Sequence, residues 1–399
     1  MHIALQLMTI TIIIILCTLL LIAYVFDLTS KKTRIPSVLM LLLLGWIAGR
    51  ITEAVKFPVP DLSRVLPVLG VVGLILIVLD GSLELEFNRT KMQIIKKSFM
   101  VAVIPMIVIS SILMMAFHYF LGASLKDGLA NAIPFSVISS AIAITSAKNL
   151  RGNHREFITY ESSFSDIIGV LFFNFIVLNN VIDAQSILTF FLQLLLIAIV
   201  SFVASAALAF LLSKIEHQIK FAPIVLSVIL IYAISEVYHL PALVFILLFG
   251  LFLGNLDELK GFTIISRLRP TLLNNEVHKL KEIIAEGTFL VRSLFFLLFG
   301  FLMETADILN TSTLVWAVSI VALIFIVRAF QLKISRLPMR PLLFMAPRGL
   351  VNVLLFLAIS PGQQIPFVNT ALMIQVIILA SLVLMLGLMA SRDGLTESE

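Results

Sequence analysis

The residues best placed to do chemistry lie in one short stretch, Tyr160-Glu161-Ser162-Ser163-Phe164-Ser165-Asp166-Ile167-Ile168-Gly169. On a helix advancing about 100° per residue, Glu161, Ser162, Ser165 and Asp166 fall within an arc of about 140°, and Asn174 follows on the same side. A carboxylate among hydroxyls holds either a proton or a small cation, because an adjacent cation favours the ionised form and so excludes the proton. Serines by themselves serve equally well as glue between helices. A second cluster, Ser136-Val137-Ile138-Ser139-Ser140-Ala141-Ile142, follows Pro134, and a third comprises Pro347-Arg348-Gly349 with Asn352. The six histidines have no ligand spacing, and the single cysteine, Cys17, permits neither an internal disulfide nor a thiolate metal site. No phosphate-binding glycine loop, HExxH or nucleophile elbow is present.

These residues stand in an unusually apolar chain. Of 399 residues 60% are hydrophobic and only 13% charged, with a mean hydropathy of +1.11. Soluble domains carry about 25% charged residues, so the bilayer is the solvent for most of this chain. That excludes a cytosolic enzyme, a disordered chain and a nucleic-acid binder. Apolar runs predict an all-α polytopic protein of thirteen spans, near 4–26, 36–52, 63–80, 98–119, 127–148, 156–180, 187–213, 222–237, 241–255, 285–303, 312–332, 342–360 and 367–390. The first run is too long for the core of a cleaved leader. No soluble domain is expected at either end, and the chain reads as a single transmembrane domain over residues 1–399. The connection at about 256–284 carries charges on an interrupted helical pattern and is expected to lie along the membrane surface.

The basic residues test the span count independently. The odd-numbered connections and the tail hold 21 Lys and Arg, and the even-numbered connections only Arg50, Lys56, Arg64 and Lys126. The positive-inside rule then places the N-terminus outside and the C-terminus in the cytoplasm of a cell membrane. The net charge of +5 is therefore a topology signal rather than a sign of an acidic partner.

Three arginines remain inside spans: Arg292, Arg328 and Arg348. A charge at the centre of a span costs about 2.5–3.5 kcal/mol on insertion scales, so each intramembrane charge is a candidate functional site. At 1.5 Å per residue Glu161 lies about 8 Å and Asp166 about 15 Å into the sixth span, the latter near mid-bilayer. Ser139 and Ser140 in the fifth span lie near the level of Asp166, and the proline and serines around them suit a broken helix whose freed carbonyls coordinate a cation. The twelfth span is interrupted at Pro347-Arg348-Gly349. Fifth and twelfth spans are seven apart and so run in opposite directions, as in an inverted repeat relating spans 1–6 to 8–13. Depth matches both Arg328 and Arg348 to Glu161, leaving its partner open; Arg292 is placed to face Asp80 or to snorkel to the interface.

Together these residues resemble the monovalent cation:proton antiporter superfamily, the sodium/hydrogen exchanger-like proteins. The family's Glu-Ser-x-x-Asn-Asp motif stands here as Glu161 to Asp166, with Ser165 for the Asn. Its Thr-Asp-Pro motif appears as Ser139-Ser140-Ala141, closer to the Ser-Ser-Thr form of the glutathione-gated potassium-efflux branch. Leu79-Asp80-Gly81-Ser82-Leu83-Glu84-Leu85 resembles the family's "aGLEL" helix end, and Arg328-Ala329 and Pro347-Arg348-Gly349-Leu350-Val351 resemble its two arginine-bearing helices. The resemblance implies a homodimer in membrane lipid. Core helices, including 98–180 and 312–390, would move against a dimerisation scaffold formed by the remaining spans. It also implies a cation and proton site at Asp166, aided by Ser139, Ser140, Ser162 and Ser165, with no cofactor and no resident metal. The only ion at Asp166 would be the monovalent cargo. By the same analogy Arg328 pairs with Glu161, and Arg348 supports the interrupted twelfth helix.

The expected function is secondary antiport of Na+ or K+ against H+. With one uncompensated carboxylate at the site, the exchange is expected to be electroneutral, one for one. Two other readings belong to different classes. One is a sensor or structural subunit that keeps the fold without transport. The other is a sodium-coupled organic-anion symporter on the same scaffold. No His/Asp or metal constellation faces either interface, which disfavours a membrane enzyme.

Overall fold

The computed structural model describes residues 2–33, 35–57, 61–62, 64–85, 89–150, 152–179, 183–214, 221–238, 240, 242–256 and 270–391. Outside them lie residues 257–269 of the long connection and the topology-marking Arg34, Arg151, Lys220, Lys260, Arg267, Arg269 and Arg392.

The described chain is helical wherever the sequence is a long apolar run. In hydrocarbon a backbone must satisfy its own hydrogen bonds, and a helix does so within one segment. In chain order the helices are α1 (His2–Thr33), α2 (Ser37–Ala54), α3 (Val65–Glu84), α4 (Met92–Leu121), α5 (Leu125–Ser136), α6 (Ser140–Ser146), α7 (Gly152–Leu178) and α8 (Ala184–Lys214). They continue with α9 (Phe221–Val237), α10 (Ala242–Gly254), α11 (Pro270–Leu302), α12 (Thr305–Ile308), α13 (Thr311–Ile334), α14 (Leu350–Leu357) and α15 (Thr370–Ala390). Among the described residues ten stretches are long and apolar enough to cross a membrane, with α5 and α6 counted as one. The shorter apolar α9 and α10 and the interrupted segment 342–357 occupy the other three expected spans. The all-α, thirteen-span reading accordingly describes this architecture.

The packing is inside-out relative to a soluble protein. Leu188, Leu192, Leu195, Ile199 and Phe202 on α8 form an exposed stripe at helical spacing, whereas Glu161, Asp166, Arg328, Arg348 and Asn352 are buried. The helices pack in two groups. In one, α2 and α3 lie against α11, α10 against α3 and α8, and α1 against α2. In the other, α4 lies against α5, α7 and α13, and α13 against α15. Contacts of α14 with α3 and of α3 with α7 join the groups.

The expected surface connection is corrected at its C-terminal part. Residues 270–284 continue the tenth span as one 33-residue helix, α11. Its polar residues His278, Lys281 and Glu282 read as part of a surface connection because lipid would not accept them. They line an open polar cavity, which hydrates them without ending the helix.

The α2–α11 seam rests on close backbone approach. A Cβ added to Gly45 would lie 2.1 Å from the Leu297 carbonyl oxygen, and that carbonyl has no rotamer by which to move away. We therefore expect Gly45→Ala to separate the two helices and cost about 1–3 kcal/mol as overpacking, lowering the melting temperature in detergent. Ile47→Ala, on the exposed face of the same helix, should leave it unchanged. Equal melting of wild type and Gly45→Ala would contradict the seam.

Candidate functional site

The fifth span breaks between α5 and α6, and the break is best understood through its backbone hydrogen bonds. Ser124 starts α5, its hydroxyl accepting from the Asp127 N–H at 3.0 Å. Pro134 brings no N–H of its own, and two residues beyond it the helix stops at Ser136. The helix end leaves carbonyls without intrahelical partners, yet each finds a donor. Asn352 Nδ2 donates to the carbonyls of Pro134 (2.7 Å) and Val137 (2.8 Å). Arg348 donates through Nε to Phe135 O at 2.7 Å and through a terminal nitrogen to Ser136 O at 3.3 Å.

The amides that open α6 are also accounted for. The Ile138 N–H donates to Ser165 Oγ at 2.8 Å, and the Ser139 N–H to the Pro347 carbonyl at 3.0 Å. The Ser140 N–H donates to Asp166 Oδ2 at 3.1 Å. Pro347 lies in the second interruption, a stretch of irregular, non-helical backbone at 345–349 between the 3-10 turn Leu342–Phe344 and α14. There Asn352 Oδ1 accepts from the Gly349 N–H at 2.6 Å, and Arg348 donates to the Ala346 carbonyl at 2.7 Å. The two unwound segments thus cross in direct contact. A Cβ at Gly349 would stand 2.7 Å from Ser139 Oγ and 2.8 Å from Ile142 Cδ1, so the two segments pack closely there.

Charge follows the same geometry. The amide end of α6 is the positive end of a helix dipole and meets the Asp166 carboxylate; the carbonyl end of α5 is negative and meets the Arg348 guanidinium. Asp166 is fully buried. One carboxylate oxygen is held by Ser140, and the other, Oδ1, has no hydrogen-bond partner. The other buried carboxylate among the described residues, Glu161, is paired. Arg328 grips it with both terminal nitrogens, at 2.6 and 3.0 Å, and donates through Nε to the Leu342 carbonyl at 2.7 Å. That pair ties α7 to α13 and to the turn preceding the second interruption. Of the two arginines open to Glu161 by depth, Arg328 makes the pair.

The expected site residues divide by what they touch. Ser140, Ser165 and Asp166 meet at the break, and the buried Ser139 hydroxyl has no hydrogen-bond partner. Ser162 does not join them through its proton, which goes to the Ile158 carbonyl of its own helix at 2.7 Å. Arg292 does not pair with Asp80. Its guanidinium reaches Asp27 Oδ1 at 3.3 Å and the Ala141 carbonyl at 3.4 Å, bridging α11 to α1 and α6. Asp80 instead faces a cavity of about 680 Å³ shared with Asp27, Lys148, Lys281 and Arg292. The cavity runs between the two helix groups, and Ser140, whose amide holds Asp166, lies on its wall.

Sequence reasoning missed two positions. Asp27 fell one residue beyond the expected first span, although α1 runs on to Thr33. Asn131, fully buried on α5, donates to the carbonyls of Asp127 (2.8 Å) and Gln363 (2.7 Å) and accepts from the Ile365 N–H at 3.3 Å. An amide side chain three residues before a mid-span proline was the available signal.

Among solved structures, the chain is similar to the sodium proton antiporter MjNhaP1 from Methanocaldococcus jannaschii at pH 8. The TM-score is 0.67 at 16% identity, covering 96% of each chain. It is similar also to an electron-microscopy structure of the same antiporter, with a TM-score of 0.70 at 18% identity, covering 97% of this chain and 99% of the other. At these identities the likeness is one of fold. No curated protein matches the chain. The family profile described as sodium/hydrogen exchanger, transmembrane, matches residues 11–392, nearly the whole length. The chain belongs to the sodium/hydrogen exchanger family, as a multi-pass membrane transporter and not an enzyme.

Proposed function

We propose that this transporter exchanges a monovalent cation, Na+ or K+, for a proton at Asp166, by alternating access. The observation that carries the reading is the state of that carboxylate: buried, held on one oxygen by the Ser140 amide, and with Oδ1 unpartnered. A proton on Oδ1 removes the charge that would hold a cation, and a bound cation displaces the proton, which leaves through the water of the adjoining cavity. Ser139, Ser140 and Ser165 surround the break and supply hydroxyl or backbone oxygens for the ion.

The cavity lies between the two packing groups, so a shift of one group against the other opens Asp166 to opposite faces in turn. In this reading α4–α7 and α13–α15 form the moving core, and α1–α3 and α8–α11 the scaffold through which two copies dimerise in a cell membrane. The basic connections support a cytoplasmic C-terminus, and Lys148 and Lys281 on the cavity wall suit an opening to that side. Glu161 and Arg328 cancel each other's charge, which leaves Asp166 to alternate between one proton and one cation.

Two kinds of test follow, by substitution and by membrane potential. Asn at position 166 keeps an acceptor for the Ser140 amide but has no charge, so Asp166→Asn should lose exchange in proteoliposomes while keeping its melting temperature. Arg328→Ala leaves Glu161 buried without its partner, at a cost of about 3–5 kcal/mol, and should lower the melting temperature. Exchange persisting in Asp166→Asn would move the site elsewhere. Second, exchange in proteoliposomes should be unchanged by an imposed membrane potential. A rate that rises or falls with potential would mean that the cycle moves net charge.

A further inference from the structure

A second buried oxygen on α7 has no assigned use. Ser163 is 7% exposed, and its hydroxyl has no hydrogen-bond partner. Its neighbours behave differently. Thr159 and Ser162 each turn the hydroxyl back to the carbonyl four residues earlier, at 3.0 and 2.7 Å, the usual refuge of a hydroxyl in an apolar helix. Ser163 forgoes that bond, and a buried polar group without a partner costs about 1–3 kcal/mol.

Its position explains the cost. Ser163 and Asp166 are three residues apart, neighbours on one face of α7, with Cβ atoms about 5–6 Å apart. Both carry a buried oxygen with no hydrogen-bond partner, Ser163 Oγ and Asp166 Oδ1. Across from Ser163 stands Gly81 of α3, where an added Cβ would lie 3.2 Å from the hydroxyl. Gly81 and Ser140 both line the cavity that leads towards Asp166. Gly81 sets no side chain against the Ser163 hydroxyl, where a Cβ would crowd it.

We propose that the Ser163 hydroxyl is a ligand of the transported cation, which sits between it and Asp166 Oδ1 beside Gly81. Hydroxyl and carboxylate oxygens replace part of the ion's hydration shell, and cavity water supplies the rest. Ser163 then sets how tightly the cation competes with the proton, while the proton itself needs only Asp166. The inference rests on the antiport reading at Asp166.

The test measures KM for Na+ and for K+ in proteoliposomes, and the shift in melting temperature that each salt produces in detergent. Ser163→Ala removes an unsatisfied hydroxyl, so its melting temperature without cation should equal or exceed wild type. Its KM should rise several-fold to about tenfold, with little change in maximal rate, and the cation-induced melting shift should shrink. Ser163→Thr should restore KM and its isostere Ser163→Val should not, a contrast that packing alone would not produce. Equal KM in wild type, Ser163→Ala and Ser163→Val would overturn the proposal, as would equal KM in the Thr and Val variants. Asp166→Asn, run in parallel, separates the two levels. Loss of exchange there with an unaffected Ser163→Ala refutes the Ser163 ligand alone, whereas exchange surviving in Asp166→Asn refutes the antiport reading beneath it.

Discussion

A backbone that leaves helical geometry inside hydrocarbon must replace every hydrogen bond it gives up, because no lipid group can do so. This chain does it twice at one point. The carbonyls of Pro134, Phe135, Ser136 and Val137 go to Asn352 and Arg348, and the amides of Ile138, Ser139 and Ser140 go to Ser165, Pro347 and Asp166. Each unwound segment supplies what the other lacks. Four buried polar side chains, Ser165, Asp166, Arg348 and Asn352, close that crossing.

The same constraint gives Asp166 its chemistry. It serves as a structural acceptor for Ser140 through one oxygen, which orients the carboxylate and leaves the other oxygen without a hydrogen-bond partner. Arg348 is the counterpart at the opposite dipole, and the Arg328–Glu161 pair anchors α7 to α13 without adding net charge. In the proposed cycle the groups that support the irregular backbone also carry the ion, as expected where binding sites sit at discontinuous helices.

Much of this was legible in the sequence because lipid is an unforgiving solvent. Pro134 with its serines and Pro347-Arg348-Gly349 marked both interruptions, and Glu161 and Asp166 stood out as charges within apolar runs. What stayed hidden depended on water inside the protein or on side chains reaching backbone. Lys281 and Glu282 read as part of a surface connection because nothing in a linear pattern reveals the cavity they line on α11. Arg348 was weighed as an ion-pair partner, although it binds carbonyls more than 200 residues away in sequence, a contact no local periodicity encodes. Arg292 turned to Asp27 rather than Asp80 because α1 extends past the expected span. Hydropathy reads residues by their cost in lipid and says little about which buried group satisfies which.

The central claim is that one carboxylate serves proton and cation in alternation. Calorimetric titration of the purified protein with Na+ or K+, in buffers of different ionisation enthalpy, counts the protons released as the cation binds. Competition at Asp166 predicts a count approaching about one per cation as the pH is lowered, and none in Asp166→Asn. Cation binding to the wild type without proton release at any pH would contradict it.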